Sequence, residues 1–298
     1  MKEDIYQRVT TQIIQALEAG VRPWHQPWNV ELTTGRIVRP LRSNLIPYRG
    51  INVLMLWGEA VTNGYAAPIW MTYKQAQELG GHVRKGERGT VVVYASTFTR
   101  EEEDAESGDS IERNIPFLKS YTVFNAEQIE GLPARYLAKP ARRIDASDRH
   151  AQAECFVRAT GALIRHGGNR ALYSEGNDAV QMPPFEAFES KEAYYATLIH
   201  ELTHWTKHRN RLNRDLGRQR FGDAGYAMEE LVAELGAAFA LADLDLTPEP
   251  REEHASYIAT WLKVLANDKR AIFSAAAHAQ RAADYLHGLR PQEMEEAA

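Results

Sequence analysis

Ser190-Lys-Glu-Ala-Tyr-Tyr-Ala-Thr-Leu-Ile-His-Glu-Leu-Thr-His-Trp205 is the stretch on which the fold turns. Ser190 suits a helix N-cap, and Tyr195, Leu198, Leu202 and Trp205 mark an apolar stripe along a helix running to about Lys207. His200 and His204 then lie one turn apart on one face. At about 100° per residue, Glu201 falls about 60° beyond His204, within reach of a water on a metal held by both imidazoles. Zinc with three protein ligands keeps one position open for water, lowers that water's pKa and polarises a carbonyl, while a carboxylate takes and returns the proton. The H-E-x-x-H pattern therefore makes His200 and His204 metal ligands and Glu201 the general base. The expected ion is zinc, with manganese as the alternative, and a third ligand is required.

A second helix, about Tyr226 to Leu244, supplies it. Met228, Leu231, Val232, Leu235 and Phe239 share one broad stripe, and Ala227, Glu230, Ala233, Glu234 and Ala237 lie opposite. Carboxylates framed by alanines suit a helix that approaches another closely and still delivers an oxygen to a metal. Glu230 is the chosen third ligand, and Glu229, about 100° round the helix, is the alternative. Glu234, one turn on, is placed to accept the free N–H of a ligating histidine and fix its tautomer.

Upstream of this helix pair, residues 171–184 read as a short hairpin turning at Glu175-Gly176-Asn177, and a helix is expected from about Asp148 to Arg165. Residues 137–145 mix Pro with charge and read as a linker. At the other end, residues 5–19 have helical spacing closed by Gly20 and Pro23, Ile51 starts a second helix, and Thr72–Leu79 a third, closed by Gly80-Gly81. Thr90–Tyr94 and Pro116–Phe124 are β-rich, and seven acids without a base between Glu101 and Glu112 read as a solvated connection. An α+β fold in two domains follows: an N-terminal α+β domain over 1–140, a linker over 141–147, and a mainly helical domain over 148–298.

The bulk numbers agree with folded globular domains: 298 residues, 44% hydrophobic, 25% charged. A single cysteine, Cys155, excludes an internal disulfide and a thiolate metal cluster. Met1-Lys-Glu-Asp4 leads into a helical pattern without an apolar signal core, and no later stretch is a membrane span, so a cytoplasmic chain with no membrane partner is expected. The net charge of −5 excludes a uniformly basic coat, but residues 22–88 carry nine Lys or Arg against four acids.

As a whole the sequence resembles the ArdC-type antirestriction proteins of conjugative plasmids. The matching elements are Trp24 with Trp28, Pro47-Tyr-Arg-Gly-Ile-Asn52, Trp70-Met-Thr-Tyr-Lys-Gln75, Val83-Arg-Lys-Gly-Glu-Arg-Gly-Thr90, Tyr121-Thr-Val-Phe-Asn125, His200-Glu-Leu-Thr-His-Trp205 and Glu229-Glu-Leu-Val-Ala-Glu234. The resemblance implies a single-stranded-DNA-binding N-terminal domain, related to ones found beside plasmid primases, joined to a zincin-like metallopeptidase domain. It implies protection of incoming plasmid DNA from host restriction during conjugation. The Glu-Leu-Val-Ala-Glu segment is similar to the ligand helix of gluzincin-type enzymes, which also places the ligand at Glu230.

Sequence-independent binding of single strands needs cations for phosphates and flat rings for bases. Residues 22–88 hold both, with four of the six tryptophans. The expected DNA-binding residues are Trp24, Trp28, Arg39, Asn44, Tyr48, Arg49, Asn52, Trp70, Lys74, Lys85 and Arg88. Trp57 is expected in the core. A second basic run, Lys207 to Arg220, follows the metal helix and either carries DNA past the cleft or covers the surface. Two other functions fit the same residues: a DNA-dependent protease acting on host or DNA-crosslinked proteins, and a pure single-strand-binding protein whose metal braces the fold. The expected partners are single-stranded DNA and a protein substrate or host restriction component.

Overall fold

Ile5–Glu18 forms the first helix, α1, with Val9, Thr10, Ile13 and Leu17 buried at helical spacing and Asp4 accepting the Tyr6 backbone N–H as N-cap. Gly20, at φ +77, ends it, and the Val21 N–H closes onto the Ala16 carbonyl at 2.8 Å. The computed structural model describes residues 4–24, 39–103, 110–136, 146–217, 223–246 and 254–289. After α1 come β1 (Leu41–Arg42), α2 (Ile51–Asn63), β2 (Ile69–Thr72), α3 (Tyr73–Glu78), β3 (His82–Val83), β4 (Thr90–Glu103), β5 (Ser110–Asn125) and β6 (Ile129–Glu130). Then follow α4 (Ala146–Ala159), β7 (Leu163–His166), β8 (Leu172–Ser174), β9 (Ala179–Met182), α5 (Lys191–Trp205), α6 (Ala224–Asp243), α7 (His254–Asn267) and α8 (Ala271–Gly288).

The fold is α+β and two-domain. Compactness groups residues 1–40, 47–66 and 138–298 in one unit, and 41–46 with 67–137 in the other. The division differs from the expected cut at 140–148, because α1 and α2 pack with the C-terminal helices. Thr10 Oγ1 donates to the Lys269 carbonyl at 2.7 Å, the Tyr6 and Phe273 rings meet at 4.7 Å, and the Gly50 N–H donates to Gln280 Oε1 at 3.1 Å. An apolar helix face is buried wherever space supplies a partner, whatever the separation along the chain.

In the smaller unit, a four-stranded sheet has the order β1-β2-β5-β4, with β1 and β2 parallel and the other pairs antiparallel. Ile69, Met71, Ala76, Ala126 and Ile129 centre its core. The β4–β5 register runs from Thr90↔Val123 to Glu103↔Ser110, so Glu101, Glu102 and Glu103 belong to a strand and not to the solvated connection expected for them. Ladder hydrogen bonds require only backbone, which acidic side chains do not remove.

In the larger unit, β7 and β9 pair in parallel, and β8 lies at the edge, antiparallel to β9, with the turn at Glu175–Asn177 as expected. α4 stops at Ala159, short of the expected Arg165, where Gly161 takes φ +63 and the chain enters β7. Ser190 caps α5 by accepting the Ala193 N–H at 2.9 Å. Every residue of α5 from Tyr194 to Trp205 is buried, where a single stripe was expected. α6 packs against it through Gly236, where a Cβ would stand 2.6 Å from Thr203 Cγ2. Only a glycine lets the backbones approach that closely.

Candidate functional site

The close α5–α6 approach sets three carboxylates around two imidazoles. His200 Nε2 lies 3.6 Å from Glu230 Oε2, and His204 Nε2 lies 3.5 Å from Glu230 Oε1. The three donor atoms fall within 4.8 Å of one another. A tetrahedral ion about 2.1 Å from each donor would separate them by about 3.4 Å, so this spacing suits a divalent metal. The donor chemistry agrees, since two nitrogens and a carboxylate oxygen form a gluzincin-like set.

The reverse side of each ring also faces a carboxylate. His204 Nδ1 lies 3.0 Å from Glu229 Oε1, and His200 Nδ1 lies 3.7 Å from Glu234 Oε2. Glu229 accepts from Arg214 Nε at 2.8 Å and from Arg214 Nη2 at 2.7 Å. Burial pushes the Glu229 carboxyl up, but the Arg214 and His204 hydrogen bonds overcome it and hold the group at about 2. An ionised carboxylate only accepts, so the short contact puts a His204 proton on Nδ1. Burial likewise raises Glu230, and the facing imidazoles bring it down to about 2.

Glu229, the alternative ligand, is thus occupied behind His204 and gripped by Arg214. The sequence presented Arg214 as part of a basic surface run, but it is buried and also donates to Thr206 Oγ1 and the Thr203 carbonyl, both at 3.1 Å. Lys207 pairs with Glu175 at 3.7 Å, and Arg211 bonds Asp178 and lies 3.8 Å over the Trp205 ring. Arg218 and Arg220 lie outside the described residues.

A cavity of about 320 Å³ opens beside the three donors. Glu201 lines it, with Arg170 and Tyr173 on the β8 side, Lys207, and the Tyr226, Tyr257 and Trp261 rings. Tyr226 and Tyr257 share a hydrogen bond of 3.0 Å between their hydroxyls. Burial, then the Tyr257 hydrogen bond, pushes the Tyr226 phenol up, so it stays a protonated donor.

The expected DNA-binding residues scatter. Trp24, Tyr48 and Trp70 are buried and present no face to a base, and Arg39 is buried on Gln280 at 2.8 Å and Asp243 at 2.9 Å. Trp24 Nε1 instead donates to Glu234 Oε1 at 3.4 Å. Arg49 is exposed but paired with Asp284, Asn52 is half-buried, and Asn44 accepts the Ile46 N–H at 3.2 Å. Lys74, Lys85 and Arg88 are exposed on the smaller unit, with Lys74 3.7 Å from Glu78. Trp28 lies outside the described residues. Trp57 is buried as expected.

The smaller unit exposes other rings, of which Tyr94 and Tyr121 were missed. Tyr94, Tyr121 and Tyr73 are 51%, 47% and 51% exposed. The register Tyr94↔Lys119 and Val92↔Tyr121 puts Tyr94, Tyr121 and Lys119 on one face of the hairpin, where Tyr94 meets Phe117 at 6.2 Å and Lys119 Nζ lies 5.1 Å over that ring. Strand alternation gave no signal for them, because Tyr94 is in phase with the buried Val92 and Tyr121 with the buried Val123.

Residues 3–124 match the family described as the N-terminal domain of anti-restriction factor ArdC, and residues 151–278 match the zincin-like metallopeptidase family. An uncharacterised protein of Sinorhizobium fredii (strain NBRC 101917 / NGR234), y4eC, is 46% identical over 291 residues, covering 95% of this chain and 92% of its own. The DNA primase TraC of Escherichia coli is 36% identical over 312 residues, and the match covers 99% of this chain but 28% of the primase. The crystal structure of antirestriction protein ArdC from plasmid R388, metal-free, is similar with a TM-score of 0.79 and 46% identity, over 96% of this chain and 98% of that one. Its Mn(II)-bound form gives a TM-score of 0.79 and 44% identity, over 97% and 99%.

Proposed function

Since the chain belongs to the ArdC antirestriction family, we propose that it binds single-stranded DNA with its smaller unit and hydrolyses protein at a divalent metal centre on α5 and α6. The activity would protect incoming plasmid DNA from host restriction in the recipient's cytoplasm. The observation that carries the metal half is the convergence of both imidazole Nε2 atoms on Glu230 beside a cavity. His200, His204 and Glu230 would hold the ion; the zincin-like family match supports zinc, and the Mn(II)-bound solved relative supports manganese. Such an ion supplies Lewis acidity at a scissile carbonyl.

The chain's own groups do the rest. Glu201 takes the proton from the attacking water and returns it to the leaving amine. Glu229 holds the His204 ring through Nδ1, and Arg214 keeps Glu229 ionised. The hydrogen-bonded Tyr226–Tyr257 pair forms part of the cavity wall beside Glu230.

For the DNA half, support comes from Tyr94, Tyr121 and Lys119 on the hairpin face, with the exposed Lys74, Lys85 and Arg88 of the same unit as phosphate contacts. A relative named as a DNA primase, matched over 99% of this chain, supports a role at DNA. Among the described residues no helix is long and apolar enough to cross a membrane. The test is Glu201→Gln, which should leave metal and oligonucleotide binding unchanged and lower proteolysis about 10²- to 10⁴-fold, with loss of antirestriction in matings. Full protection by Glu201→Gln would make the centre structural.

A further inference from the structure

Glu234 shows one oxygen to each of two parts of the chain. Its Oε2 faces His200 Nδ1 at 3.7 Å, while its Oε1 accepts from Trp24 Nε1 at 3.4 Å and lies 3.6 Å from Arg22 Nη1. Arg22 and Trp24 belong to the segment that follows α1, inside the stretch matched by the N-terminal family, whereas Glu234 and His200 fall in the zincin-like stretch.

Trp24 is fully buried, so its N–H has no solvent to turn to and donates inward. Its ring meets Trp261 edge-on at 6.0 Å, Trp261 stacks on Tyr257 at 6.2 Å, and Tyr257 bonds Tyr226. Trp261 is itself anchored by donating to the Ala227 carbonyl at 3.1 Å. One indole thus braces both the carboxylate behind His200 and the aromatic wall of the cavity. The two histidines are served unequally: Glu229 is fixed by Arg214, nine residues beyond the end of α5, while Glu234 is fixed from the far N-terminus.

We propose that Arg22 and Trp24 are positioning residues of the metal centre, holding Glu234 against His200 so that the segment after α1 sets the metal affinity. The inference rests on the metal reading above. It implies that the zincin-like stretch alone is an incomplete metal site, and that the N-terminal region acts on the centre as well as on DNA. Partners behind a ligating histidine contribute about 10- to 100-fold in metal affinity, which sets the size of the effect.

The experiment is Mn(II) titration of the full chain, free ion being read by electron paramagnetic resonance, for wild type, Arg22→Met, Trp24→Phe and the double variant, each repeated in a Glu234→Gln background. Trp24→Phe keeps the ring and removes the donor, and Arg22→Met keeps the chain length at a rim position if the tryptophan change impairs folding. The double variant should bind Mn(II) about 10-fold more weakly. In the Glu234→Gln background the same changes should add less than about two-fold, because the residues act through that carboxylate. A merely structural role would give equal losses in both backgrounds and would overturn the proposal, as would wild-type affinity in the double variant. His204→Ala separates the two levels: if it binds Mn(II) as wild type does, the metal centre itself is wrong and the proposal falls with it.

Discussion

On α5 and α6, His200, His204, Glu201, Glu229 and Glu234 are buried and their neighbours fix their directions, whereas on the β4–β5 hairpin Tyr94 and Tyr121 stand about half exposed. The helix pair spends its close packing on orientation. A glycine facing Thr203 brings the backbones together, an arginine ionises one carboxylate, and that carboxylate chooses a tautomer. The hairpin face has rings and an ammonium in a row, held by backbone register and open to whatever stacks on it. Chemistry on a scissile bond needs positions held to fractions of an ångström. Binding a strand of any sequence needs flat area and charge, and tolerates looseness.

The contrast breaks if the exposed hairpin rings respond as the buried groups do, and the largest expected effects lie at buried groups. Arg214→Leu should leave Glu229 as an unpaired buried carboxylate and cost about 3–5 kcal/mol in urea unfolding; a loss near zero would show Glu229 to be hydrated. Trp70→Ala sharpens the other side. Its buried indole should make the variant unstable by about 3–5 kcal/mol by the same measurement, an effect of packing and not of DNA contact.

Next in size, Tyr94→Ala and Tyr121→Ala should each weaken oligonucleotide binding by about 1–3 kcal/mol in anisotropy titrations at fixed salt, while leaving stability within about 0.5 kcal/mol. Equal binding by wild type and the double variant would remove the hairpin face from the DNA surface. Binding by wild type should also fall as salt rises. Smallest are the caps. Ser190→Ala on α5 and Thr72→Ala on α3 should each cost about 1 kcal/mol, because a cap bond is local in both regions. A much larger loss at Ser190 than at Thr72 would mean that the cap also governs the seating of the buried helix.

The sequence was most legible where geometry is set within two helical turns. His200, Glu201 and His204 were readable because an i, i+4 pair lies on one face of a helix in any fold, and the alanine frame of Glu230 pointed to a close helix contact. Arg214 was invisible as a site residue, since nothing local distinguishes it from the Lys207–Arg220 run around it. Trp24, Arg39, Tyr48 and Trp70 misled for the same reason. An aromatic or arginine beside basic residues reads as a surface, and only its distant partners, Glu234 for Trp24 and Asp243 with Gln280 for Arg39, make it interior.

The amino-acid sequence by itself thus determined the motif helix, the carboxylate-bearing helix beside it, the mixed α+β architecture and the family. The tertiary structure decided which glutamate faces the imidazole Nε2 atoms and which stands behind them, which aromatic residues are buried, and that α1 and α2 pack with the C-terminal helices. The reason is range: backbone periodicity fixes directions among neighbours along the chain, while burial and charge pairing depend on residues that only folding brings together.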